Sequence, residues 1–144
     1  MSDAAPRLLL PRELETQLWQ HARRDAPQEC VGVLGGRQVG GGSVAGGGWQ
    51  ASRLYPLVNR AAYPQREYLA EAAGLLRALK SMRAESLELV AIYHSHPHGP
   101  AHFSFTDQQQ AAYDVPYLIA DLVSGHLSAY LLPEGVECEL RPDE

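Results

Sequence analysis

The sequence predicts a single α/β layered domain spanning residues 1–144. Three observations carry that expectation: apolar runs of strand length alternate with amphipathic helical stretches, no segment repeats, and no linker-like boundary divides the chain. Leu8-Leu9-Leu10 reads as a first strand. Pro11 opens a helix, since proline fits a first helical turn, and Leu14, Leu18 and Ala22 recur at helical spacing through Arg24. Pro27 ends it, and residues 31–36 read as a buried strand with Glu29 just at its start. The glycine-rich stretch 40–48 reads as a hairpin connection. A phosphate cradle would need a following helix and a Gly-Lys-Ser/Thr, whereas residues 52–58 look like another strand.

Residues 68–84 form the clearest helix, with Leu69, Ala72, Leu76 and Leu79 as one stripe that Leu75 and Met82 widen. Residues 87–93 are a strongly apolar strand that delivers the chain into His94-Ser95-His96-Pro97. Ser104 opens a short helix through Ala112. Residues 117–123 and 127–132 alternate as two strands joined near Ser124-Gly125, and residues 136–140 read as a last edge strand.

Composition narrows the function. Hydrophobic residues make up 45% and charged residues 20%, which is ordinary for a globular domain that needs no disulfide staple. Twelve basic against 17 acidic residues give a net charge of -5, which argues against a general nucleic-acid partner. No stretch approaches the ~18 apolar residues of a membrane span, so no membrane partner is expected. Cys30 and Cys138 follow no basic-then-apolar leader, so the expectation is a cytoplasmic protein with reduced thiols.

The chemistry sits in one segment. His94 and His96 lie two residues apart where a strand ends, so both imidazoles point the same way. Asp107, at the start of the next helix, is placed to fold back and supply a carboxylate oxygen. Two nitrogens and one oxygen suit Zn²⁺, and three protein ligands leave the open position that catalytic zinc needs. Blander readings stand beside this one. A His-x-His pair is often only a pair of loop-edge histidines. Ser104 with Asp107 is also a helix capping box, with Asp in place of Glu. His98 and His102 in the connecting loop compete as ligands, and Glu29 taken alone is an ordinary surface carboxylate. Cys30 reads as a buried structural thiol, and His21 and His126 are assigned no role.

The run His94-x-His96, seven residues, then Ser104-x-x-Asp107 resembles the signature of the JAMM (MPN+) zinc metallopeptidases. Glu29-Cys30-Val31-Gly32-Val33-Leu34-Gly35-Gly36 is similar to that family's segment of glutamate, strand and glycine. The resemblance covers about residues 8–132 and is poorest in the glycine-rich stretch and after Pro133. It implies the JAMM (MPN) fold: a curved mixed β-sheet flanked by helices, with cytidine-deaminase-like layering. It implies one catalytic Zn²⁺ held by His94, His96 and Asp107, with Glu29 as general base and Ser104 as oxyanion donor.

The implied activity is hydrolysis of an amide or isopeptide bond at the C-terminal Gly-Gly tail of a ubiquitin-like or sulfur-carrier protein. The compact chain resembles the small bacterial, Mec-like members, which include hydrolases releasing cysteine from a carrier in cysteine biosynthesis. The larger deubiquitinases carry insertions for which this chain has little room. Residues 59–68, with Arg60, Pro64 and Arg66, are candidates to line the groove for the tail; a plain strand-to-helix loop is the alternative. A non-catalytic MPN-type scaffold is the competing class, although such relatives lack ligands that this chain keeps. A zinc deaminase needs His-x-Glu with Pro-Cys-x-x-Cys, and a thermolysin-like protease His-Glu-x-x-His; neither occurs. The sequence leaves the oligomeric state open, a homodimer included.

Overall fold

The computed structural model describes residues 5–40 and 47–142. Its elements run β1 (Arg7–Leu9), α1 (Arg12–Asp25), β2 (Val31–Val39), β3 (Gly48–Leu57), α2 (Ala72–Ala84), β4 (Glu88–His96), α3 (Phe105–Gln110), β5 (Tyr117–Asp121), β6 (Leu127–Leu131), β7 (Val136–Glu137) and β8 (Glu139–Arg141). The strands form one mixed sheet in the order β7-β6-β5-β4-β2-β3-β1-β8. β4 pairs antiparallel with β2 and parallel with β5, so the strand bearing the two histidines lies inside the sheet, with neighbours on both sides.

The expected last edge strand, residues 136–140, is two strands at opposite ends of the sheet. β7 pairs with β6 while β8 pairs with β1, and only Cys138 separates them. A one-residue link between the two ends of the strand order requires the sheet to curl until its edges nearly meet. Cys138 N–H donates to the Ala129 carbonyl in β6 (2.8 Å), and Glu139 N–H to that of Pro6 (2.8 Å). The curl thereby covers backbone edges that would otherwise stand exposed.

Residue alternation divides the apolar side chains between two cores. Leu8, Leu14, Leu18, Leu34, Tyr93 and Leu118 belong to the core under α1. Val31, Val33, Met82, Ile92 and Tyr117 belong to the core under α2. Along β4, Tyr93 faces the α1 core and Ile92 the α2 core, so His94 and His96 continue on the face of Ile92. Under α1 the buried His21 bonds Tyr93 OH through Nδ1 (2.7 Å) and Asp25 through Nε2 (3.1 Å).

The central helix starts later than its spacing suggests, at Ala72 rather than residue 68. Residues 58–60 and 69–71 pair instead: Asn59 bridges Ala70, Arg60 N–H donates to the Leu69 carbonyl (2.7 Å), and Glu71 N–H to that of Val58 (2.9 Å). This tertiary pairing overrides local helical preference. The buried face of α2 is Ala78 and Met82, flanked by Leu75 and Leu79. Leu69 and Leu76, expected in the core stripe, are exposed at 57% and 53%. Leu76 sits about 100° of helical turn from Leu75, which points it to solvent.

β2 runs three residues past its expected end, through a register shift at Gly35/Gly36. A side chain at Gly36 would collide with the Gln50 carbonyl of β3, which is why glycine stands at the bulge. Gly48 opens β3, Gly40 turns with φ 62°, and residues 41–46 of the glycine-rich stretch lie outside the described residues. Among the described residues, no helix is long and apolar enough to cross a membrane.

Two outcomes follow from this packing. Gly36→Ala forces a backbone shift and lowers stability by about 3 kcal/mol, measured by urea unfolding, with an unchanged midpoint contradicting the reading. Cys30 and Cys138 are free and buried, and burial pushes both thiols up to about 12. At pH 8 the native protein should resist iodoacetamide at both, and take up two labels once unfolded in urea. Because unfolded thiols ionise near ~8.5, stability should decline as pH rises from there toward 12.

Candidate metal centre

β4 and α3 build the centre between them. His94 is fully buried and His96 nearly so, and their Nε2 atoms lie 3.1 Å apart. The Asp107 carboxylate closes the group: Oδ1 is 3.2 Å from His94 Nε2 and Oδ2 is 3.2 Å from His96 Nε2. Asp107 is aimed by the capping box of α3. Ser104 Oγ accepts from Asp107 N–H (3.0 Å), and Asp107 Oδ2 accepts from Ser104 N–H (2.8 Å). The helix-cap reading of Ser104 and Asp107 therefore holds, and the cap leaves the Asp107 carboxylate beside the two histidines.

Each histidine is oriented from behind. His96 Nδ1 lies 2.7 Å from the Pro100 carbonyl, which can only accept, so Nδ1 carries a proton and Nε2 is the nitrogen turned toward the centre. His94 stacks against the buried Tyr68 ring, centroids 4.4 Å apart at 27°. Between the two histidines, Ser95 points to the other face, where its Oγ accepts from Cys30 N–H (2.8 Å). That bond pins the start of β2 to the end of β4.

Glu29 enters from this pinned end. It is 4% exposed, and its Oε1 is buried without a hydrogen-bond partner among the described residues. Ligand-capable atoms of Glu29, His94 and His96 all lie within 4.8 Å of one another. The loop ahead of α2 holds its backbone on both sides. Glu29 N–H donates to the Pro64 carbonyl (2.7 Å), and Asn59 Nδ2 donates to the Glu29 carbonyl (3.0 Å). Asn59 Oδ1 in turn accepts from Ala61 N–H and Leu69 N–H (3.0 Å each), so one side chain ties both ends of the loop to Glu29.

The environments push the two carboxylates apart. Burial drives Glu29 up to about 8, reinforced by Asp107 and Glu67 and opposed by His96. Burial also acts on Asp107, but the bonds from His94 and His96 outweigh it and hold that carboxylate well below the usual range. Burial lowers His94, whereas in His96 burial is outweighed by Asp107 and the Pro100 carbonyl, which raise it. Imidazole nitrogens, an ionised carboxylate and an unpartnered acid thus converge in a buried space. That donor set fits a divalent cation such as zinc, and His94, His96, Asp107 and Glu29 are the residues able to hold one.

Two hollows flank the centre. A cleft of about 400 Å³ is lined by Glu29, Gln65, Arg66, His96, His102 and Ser104, with residues 97–100 along one wall. An apolar hollow of about 310 Å³ lies over Val31, Tyr68, Leu69, Ile92, Tyr113 and Tyr117. His98 and His102, the competing ligand candidates, are exposed on the cleft wall, and His102 bonds the Phe103 carbonyl through Nδ1 (2.8 Å). Arg60 lines neither hollow; it is bound to Glu71 at 2.8 Å. Asn59, Tyr68 and Pro100 escaped the sequence reading as supports of the centre. Only Asn59 left a local trace, an Asx-type turn two residues long.

Comparison with known proteins identifies the family. Prokaryotic homologs of the JAB domain match residues 11–137. A probable TtuB-protein conjugate cleaving protease of Thermus thermophilus is 41% identical over 92% of this chain and 81% of its own length. The CysO-cysteine peptidase of Mycobacterium tuberculosis is 29% identical over 92% of this chain and 87% of its own. A solution structure from Desulfitobacterium hafniense superposes with a TM-score of 0.82 at 29% identity, covering 95% of this chain and 93% of that one. A second, from Salinibacter ruber, gives 0.64 at 26% identity, covering 95% and 92%. The curved mixed sheet, the centre at the end of β4 and these relatives together make the chain a prokaryotic member of the JAB domain family, the JAMM (MPN+) group its motifs resemble.

Proposed function

We propose that this chain is a zinc-dependent metallopeptidase. Its substrate would be the amide or isopeptide bond joining the C-terminal Gly-Gly tail of a ubiquitin-like or sulfur-carrier protein to an amine. One observation carries the reading: two imidazoles and an ionised acid meet at one buried point, with a second, unpartnered acid beside them. The names of the relatives, a TtuB-conjugate protease and a CysO-cysteine peptidase, support the carrier as substrate class.

In this reading His94, His96 and Asp107 hold the ion, and Glu29 stays free as general base. Zinc, when bound, supplies Lewis acidity toward the carbonyl and makes a water acidic enough to attack near neutral pH. Glu29 takes the proton from the attacking water and passes it to the leaving amine. Ser104 uses its oxygen to accept from Asp107 N–H, which leaves its O–H to donate to the developing oxyanion in the cleft. One chain supplies all five residues, so the mechanism does not require a dimer. The two free thiols fit a reducing cytoplasm.

Zinc analysis and cleavage assays separate the roles. Asp107→Ala should lose most bound zinc after dialysis. Glu29→Gln should keep zinc near one per chain while cleavage falls about a thousandfold or more. Zinc lost from Glu29→Gln but kept by Asp107→Ala would exchange the two acids' roles. A wild-type chain that folds but neither binds zinc nor cleaves any carrier conjugate would be a scaffold instead. Ser104→Ala should retain zinc and lose about 10²–10³ in turnover, with about 1 kcal/mol of stability gone through the cap. Loss of zinc from that variant would make Ser104 a structural cap alone.

A further inference from the structure

The cleft beside Glu29 and the apolar hollow differ in what they can bind. Only the cleft is lined by Glu29, and it also carries Arg66, His98 and His102. On the peptidase reading above, Glu29 delivers a proton to the nitrogen that leaves, so the leaving group occupies the cleft.

We propose that this cleft selects a leaving group bearing a free carboxylate, with Arg66 as its recognition residue. Between the two kinds of conjugate that the relatives' names state, Arg66 would then favour a carrier joined to a single amino acid through its α-amino group over one joined to a protein lysine. In such a conjugate the carboxyl carbon is two bonds from the scissile nitrogen. A cation that reads it must therefore share the cleft with Glu29. A lysine joined through its side-chain nitrogen, with its main chain in peptide linkage, presents no charge within that reach.

Arg66 is placed for this task. Its loop is fixed to Glu29 through the bonds from Glu29 N–H to Pro64 and from Asn59 to Glu29, and Asn59 also holds the Glu67 carbonyl (3.1 Å). Arg66 therefore extends from backbone that is anchored on both sides, and it lines the same cleft as Glu29. Its guanidinium lies over the Tyr63 ring, 5.2 Å from the centroid, and makes no ion pair among the described residues. Arg60, by contrast, is already bound to Glu71. A guanidinium steadied by an aromatic ring but unpaired keeps its planar fork for a carboxylate. In a chain of net charge -5, that makes the cleft locally suited to an anion.

The test uses the zinc-loaded full chain with TtuB and CysO, each extended after Gly-Gly by one cysteine, as the free acid or the carboxamide, and each also linked to a lysine side chain in a peptide. The acid should exceed the amide in kcat/KM by about ten- to a hundredfold, the scale of charge-assisted hydrogen bonds to one carboxylate. Arg66→Gln should bring that ratio close to one, and Arg66→Lys should restore part of it. Equal rates on acid and amide in the wild type, or an unchanged ratio in Arg66→Gln, would overturn the assignment. Lysine-linked conjugates cut as fast as the free acid would overturn the substrate class. Failure to cut any conjugate would instead sink the peptidase reading, and this inference with it.

Discussion

The structure depends on one costly arrangement: two imidazole nitrogens 3.1 Å apart, each 3.2 Å from one oxygen of the same carboxylate, out of water. Burying an ionised acid is unfavourable unless it is paired, and burying an imidazole lone pair is unfavourable unless something accepts or coordinates it. The fold meets that cost with rigid supports. β4 lies between β2 and β5, so the backbone that presents His94 and His96 is hydrogen-bonded on both sides. α3 is only six residues long, and its capping box fixes Asp107 at its start. A divalent cation held there would attract these donors instead of leaving them crowded.

The second constraint is the loop between β3 and α2. It spends its hydrogen bonds on Glu29 rather than on helix, delaying α2 to Ala72. The same detour buries Tyr68 against His94 and places Arg66 in the cleft. The anchor of Glu29, the ring against His94 and one cleft wall thus belong to one segment, whose ends Asn59 ties together. Ser95 couples this to β4 from the opposite face, through Cys30. Orientation of the centre is in this way shared by the two faces of the sheet.

The parts legible in the sequence are those set by local spacing. His94 and His96 are two residues apart on a strand, and Ser104 and Asp107 are three apart at a helix start, so both pairs announce their geometry. The helix over residues 12–25 and the strand into His94 were legible for the same reason. What escaped was set by partners far along the chain. Residues 68–71 carry a helical pattern but pair with residues 58–60. Residues 136–140 read as one strand because nothing local shows that the sheet curls back on itself at Cys138. Asn59 and Pro100 have ordinary loop chemistry, and only the fold brings them against Glu29 and His96.

The central claim, that His94, His96 and an acid form a zinc centre with no sulfur in it, is tested most directly by X-ray absorption at the zinc edge of the zinc-loaded chain. The account predicts a first shell of nitrogen and oxygen at about 2.0–2.1 Å, with outer-shell scattering from two imidazoles. A sulfur shell near 2.3 Å, which would draw in Cys30, or scattering from three or more imidazoles, which would draw in His98 or His102, would contradict it.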